Sequence, residues 1–73
     1  MTIMAGLRKR SLNLSGHATS LALEQEFWSA LEAMAAERCV SLAALVATLD
    51  DGRTDRPLAS ACRVAALAWA RKL

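Results

Sequence analysis

"SGHATSLALEQEFWSALEAMAAERCVS" (residues 15–41) changes rhythm partway through. Up to Glu24, apolar residues alternate with polar or small ones. From Gln25 they recur every three or four positions. A period of two describes a half-buried strand, and a period near 3.6 describes an amphipathic helix. Thr19, Leu21 and Leu23 share one parity, and Ala18, Ser20 and Ala22 share the other. The helix is predicted over 25–38, with Phe27, Ala30, Leu31, Met34 and Ala35 as its apolar stripe and Trp28 on the shoulder. Glu26, Ser29, Glu32 and Glu37 form its wet face. Glu24 and Glu26 at its start suit the helix dipole.

Working outward, "RCVS" breaks the helical period, and Ser41 is a good N-cap for a second helix over 42–50. Its stripe is Leu42, Leu45, Val46 and Leu49. "DDGRTDRP" reads as a loop, with Thr54 or Asp55 able to cap a third helix and Pro57 tolerated in its first turn. On that helix Leu58, Ala61, Cys62, Ala65, Trp69 and Leu73 fall on one side. Arg63 and Arg71 lie opposite, where Val64 and Leu67 also lean outward. The organisation is a basic arm (1–16), a strand-and-two-helix core (17–50), a loop (51–57) and a C-terminal helix (58–73).

A chain of 73 residues is one small domain, a size at which a second copy often supplies the missing core. Cys39 and Cys62 are too few for a disulfide scaffold, and with the single His17 they make no zinc spacing; no metal and no cofactor are expected. Free thiols fit a reducing cytoplasm, and both are expected to be inert and buried. The longest apolar runs fall short of a membrane span, and the start does not resemble a secretion signal. The net charge of +2 is unevenly spread. Residues 1–23 hold Arg8, Lys9 and Arg10 and no acid, whereas all seven acids lie between Glu24 and Asp55. Such an asymmetry orients the surface potential.

One strand alone leaves a row of unpaired backbone groups. Its cheapest partner is the same strand of a second copy, antiparallel about a two-fold axis. The predicted fold is therefore mainly α with one short β-strand, an obligate homodimer closed by an intermolecular ribbon, plus a third helix. A rival arrangement uses Gly16 in a tight turn to fold residues 10–15 onto 18–23 within one chain, setting Leu12 against Leu21 and Leu14 against Thr19. Adding a second copy edge to edge then gives a sheet of four strands.

The segment "TSLALEQEFWSALEAMAAERCVSLAALVATL", with its lead-in "LRKRSLNLSGHA", resembles the ribbon-helix-helix family of DNA-binding repressors, and more narrowly a small bacterial subfamily of it. The resemblance implies a transcriptional regulator whose paired strands enter the major groove of double-stranded DNA. Carried over residue by residue, base contacts fall to Ala18, Ser20 and Ala22, a weak set in which only Ser20 can hydrogen-bond. Phosphate contacts fall to Arg8, Lys9, Arg10 and His17, with the backbone opening the second helix at Ser41 and Leu42. The dimer core is implied to be Leu21, Leu23, Phe27, Leu31, Met34, Leu45, Val46 and Leu49. Three basic residues per chain give a dimer six cations in this lead-in. If all met phosphates, log affinity should fall with log salt at a slope of roughly −5.

No nucleophile, base and acid are spaced as a catalytic set, so the chain is not expected to be an enzyme. The alternative function is a dimeric interaction module, antitoxin-like, with weak and mostly non-specific DNA binding. Its protein partner would sit on the C-terminal helix, where Val64 and Leu67 leave apolar area outside.

Overall fold

Two residues reverse the chain. Ser15 (φ 54°) and Gly16 (φ 87°) both occupy the left-handed region, the combination that a two-residue type I′ hairpin turn demands. Glycine meets that demand freely, whereas serine does so at some expense. The Gly16 amide donates to Asn13 Oδ1 at 3.0 Å and fastens the turn. In the computed structural model, which describes residues 6–72, the turn joins strands β1 (Arg8–Leu14) and β2 (His17–Leu23). They pair antiparallel, from Arg8 opposite Leu23 to Leu14 opposite His17.

The expectation of a single strand is thereby corrected: β2 has its partner in its own chain, and residues 8–14 of the expected arm are β1. Residues 1–5 of that arm lie outside the described residues. The signal was hidden because the inward row of β1 begins with arginines, whose aliphatic stems stand where an apolar residue is looked for. The register also differs from the rival hairpin by two residues. Leu12 faces Thr19 and Leu14 faces His17, because the turn consumes only Ser15 and Gly16. A shift of two preserves which face each side chain takes.

Helix α1 (Gln25–Glu37) leaves β2 directly, with Glu24 in extended conformation as its N-cap. It buries Trp28, Leu31, Met34 and Ala35. The phase differs slightly from expectation, since Trp28 is fully buried and Phe27 only partly. The indole explains the choice: its Nε1 donates to the Arg8 carbonyl at 2.8 Å, so the largest side chain of the helix is satisfied at its one polar atom. At the other end the Val40 amide donates to the Ala35 carbonyl at 3.0 Å, and the Cys39 amide to the Ala36 carbonyl at 3.1 Å. With Cys39 at φ 58° this is a Schellman ending without the usual glycine. Cys39 is exposed, not buried as expected.

Helix α2 (Leu42–Gly52) is capped by Ser41, whose Oγ accepts the Ala44 amide at 3.0 Å. It runs two residues beyond the expected end. Helix α3 (Leu58–Ala70) starts from Pro57, and neither Thr54 nor Asp55 caps it. Leu73 of its expected stripe lies outside the described residues. Helix α2 lies against β1, α3 lies against β2, and the three helices contact one another. Leu14, Leu21 and Leu23 point from the hairpin into this core, meeting Trp28, Leu31, Leu45, Val46 and Cys62. Burial pushes the Cys62 thiol up, with a smaller push from Asp50, so it stays neutral. Each such aliphatic side chain contributes about 1.5–3 kcal/mol when fully buried. Leu21, Leu23, Leu31, Met34, Leu45 and Val46, implied as dimer core, are all buried within one chain. Phe27 and Leu49 are partly buried against them.

Candidate nucleic-acid interface

Residues directly opposite in an antiparallel pair share a face, so the register sorts the hairpin into two rows. The inward row holds Arg8, Arg10, Leu12 and Leu14 with Leu23, Leu21, Thr19 and His17. The outward row holds Lys9, Ser11 and Asn13 with Ala22, Ser20 and Ala18. Ala18 and Ser20 are exposed and Ala22 half-exposed. All three expected base-contacting residues therefore share one open face. The other half of that face was missed. Lys9, Ser11 and Asn13, all exposed, alternate with Arg10, Leu12 and Leu14. That alternation was the available signal once Arg10 is counted as inward-facing.

The same alternation divides the basic triplet. Lys9 stands on the outward row. Arg8 is exposed at the open end of the inward row. Arg10 turns beneath the ribbon: its guanidinium lies 4.8 Å from the Trp28 ring centroid and donates to Glu32 at 3.1 Å. It is bound into the fold on the side away from the outward face. His17 is exposed beside the turn, and Ser41 and Leu42 open α2 at the position expected of them. Because Ser41 caps Ala44, the first-turn amides of Leu42 and Ala43 remain available by helix geometry.

No acid occurs on either strand. The nearest carboxylate in sequence, Glu24, accepts from Arg63 Nε at 3.0 Å. A hydrogen bond to its own backbone amide, then the Arg63 guanidinium, hold the Glu24 carboxyl below its ordinary value. Arg63, expected on the free side of α3, thus reaches across to α1, where it also lies 5.8 Å from the Phe27 ring. Glu32 is engaged by Arg10. The outward face consequently presents a cation, polar groups and small side chains with no acid among them. Two strands about 4.8 Å apart make a ribbon narrow enough for a major groove about 12 Å wide.

Among the described residues no group of side chains is placed to hold a metal ion, and no helix is long and apolar enough to cross a membrane. Between α2 and α3 lies an open groove of about 340 Å³ whose lining includes Leu49, Ala61, Val64, Ala65 and Ala68 together with Arg53 and Arg56 of the intervening loop. Val64 in this lining and Leu67 on the same helix are exposed, at 47% and 55%.

Comparison with known families finds a match over residues 7–70 to a model described as a ribbon-helix-helix domain. Comparison with curated proteins and with solved structures finds no match.

Proposed function

Because the chain belongs to the ribbon-helix-helix family, whose members generally bind DNA as dimers and are typically not enzymes, we propose that it is a sequence-specific, repressor-like transcriptional regulator. In this reading it works as a homodimer in the cytoplasm, with its ribbon in the major groove. The observation that supports it best is the outward face of the hairpin. It is acid-free, carries Lys9, and is of groove width. Arg8 and Lys9 at the open end serve phosphates. His17 beside the turn and the α2 amides around Ser41 and Leu42 add to them. Arg10, held by Trp28 and Glu32, supports the ribbon from beneath.

A second copy added edge to edge would make four strands at about 4.8 Å spacing, wider than the groove admits. In the bound dimer either β1 is released from the ribbon or the two copies meet through another surface. Binding of the full chain to the DNA upstream of its own gene, measured by fluorescence anisotropy at two salt concentrations, tests the proposal. The expected result is a preference over a shuffled duplex of about 10³-fold or more, with affinity falling steeply as salt rises. Equal affinity for both duplexes contradicts it.

The groove between α2 and α3 favours a second reading, an antitoxin-like interaction module that keeps only weak DNA binding. In that case salt erases DNA binding altogether, while Val64→Asp abolishes partner capture and leaves the hairpin folded.

A further inference from the structure

Helix α3 carries no acid, and its outward side repeats at heptad spacing. Cys62 and Ala66 are its buried residues. Ser60, Val64, Leu67 and Arg71 follow one another at intervals of four, three and four, which sets them as one seam on the opposite side of the helix. Val64 and Leu67, in the middle of the seam, are exposed. Arg71 closes one end, with Lys72 next to it. At the other end Arg56 Nη1 donates to Ser60 Oγ at 3.4 Å. The groove between α2 and α3 runs beside this seam, and Ala61, Ala65 and Ala68 leave room in it for a backbone to come close. Its lining holds Arg53 and Arg56 and no carboxylate; Asp51 and Asp55 of the neighbouring loop stay outside it. Arg53 is paired with Asp50. Among the described residues no ion pair engages Arg56, Arg71 or Lys72. An apolar centre thus lies between cations at both ends.

We infer that this groove receives an amphipathic helix of another protein, whose apolar stripe is bounded by acidic residues at both ends. The inference rests on the interaction surface of the second reading above and deepens it by naming the occupant. A helix is the form that sets apolar residues at i, i+3, i+4 and i+7 into such a groove. Helix α3 is roughly 20 Å long at ~1.5 Å per residue, so an occupant lying along it presents between about three and four turns. Its acids meet Arg56 at one end and Arg71 with Lys72 at the other. Such exposed pairs speed the encounter and select the partner more than they tighten it. A second copy of this chain is the poorer occupant. Antiparallel pairing of two α3 helices sets Val64 of each opposite Leu67 of the other, and the same register sets Ser60, with Arg56 beside it, opposite Arg71. Parallel pairing sets Arg71 against Arg71. Either way like charges meet at the ends of the seam and oppose association.

Two synthetic helical peptides, titrated calorimetrically into the full chain, test this. One carries leucines at alternating intervals of three and four with glutamates at both ends. The other is identical except that lysines replace the glutamates. The expected result is saturable binding of the glutamate peptide, about tenfold or more tighter than that of the lysine peptide and weaker as salt rises. Val64→Asp reduces its affinity by about tenfold or more, and Arg56→Glu by about threefold or more. Circular dichroism confirms that both variants are folded. Equal binding of the two peptides, or binding that survives Val64→Asp, overturns the inference. Preference for the lysine peptide overturns the acidic occupant and leaves the interaction surface standing, whereas failure of both peptides at low salt overturns both. Self-association in sedimentation velocity that Val64→Asp abolishes would assign the groove to a second copy and likewise overturn the inference.

Discussion

The Arg10 guanidinium sits 4.8 Å from the centroid of the Trp28 ring and donates to Glu32 at 3.1 Å. Trp28 in turn gives its indole hydrogen to the Arg8 carbonyl. The basic lead-in is thereby stitched to α1 from two directions, and one of its three cations belongs to the fold. Arg10→Ala is expected to lower stability by about 1 kcal/mol, since a half-exposed cation–π contact and ion pair contribute modestly. Its effect on DNA affinity should be smaller than that of Lys9→Ala. Chemical denaturation and anisotropy on the same two variants check both halves, and the reverse ranking would contradict the assignment.

The turn offers a change that improves the protein. Ser15 holds φ 54° without glycine's freedom, and asparagine tolerates that region better. Ser15→Asn should raise the unfolding free energy by about 0.5 kcal/mol or slightly more. Gly16→Ala should lower it by about 1–2 kcal/mol through strain at φ 87°, since a methyl there meets no neighbouring atom. Urea midpoints at constant m-value would show this.

Cys39 occupies a left-handed position that ends α1. Its side chain is exposed, so nothing is lost by removing it. Cys39→Gly should stabilise the chain by about 1 kcal/mol, read as a rise in thermal midpoint. A fall would show that the thiol makes a contact not described above.

Acid should act through Glu24. Its folded pKa lies below 4.5, its ordinary value, so the unfolded chain takes up this proton first as pH falls. The contribution of Glu24 is full above about pH 4.5 and is lost as pH drops through the folded value. The difference in melting temperature between the unmodified chain and Glu24→Gln should therefore shrink between about pH 7 and about pH 3. The pairs of Glu32 with Arg10 and of Asp50 with Arg53 are common to both proteins and cancel. A constant difference across that range would contradict the Glu24–Arg63 link.

The helices were legible because their apolar spacing is strong: α1 and α2 begin at the expected residues, and Ser41 caps as its type suggests. The parity of Leu21 and Leu23 was legible too, which is why Ala18, Ser20 and Ala22 fall together on the open face. What escaped was β1. Arg10 fills an inward position with a charged residue that only its partners, Trp28 and Glu32, make acceptable. Side-chain partners that lie as far as 22 positions along the chain leave no mark on local periodicity. The same holds for Arg63, whose reach to Glu24 across 39 positions could not be inferred from a helical wheel. Trp28 replaced Phe27 in the core for a related reason, since the Arg8 carbonyl that receives its indole hydrogen belongs to the strand that was missed.

The account turns on which polypeptide supplies the strand beside β2. Isotope-filtered nuclear Overhauser spectra on a mixture of labelled and unlabelled full-length chains measure this directly at the Ser11–Ser20 pair. The expected result is contact between the two residues within labelled chains and none between labelled and unlabelled ones, whether or not the chains associate. Cross-chain contact between Ser11 and Ser20 would mean that the ribbon is shared between two copies, and the single-chain reading face would have to be abandoned.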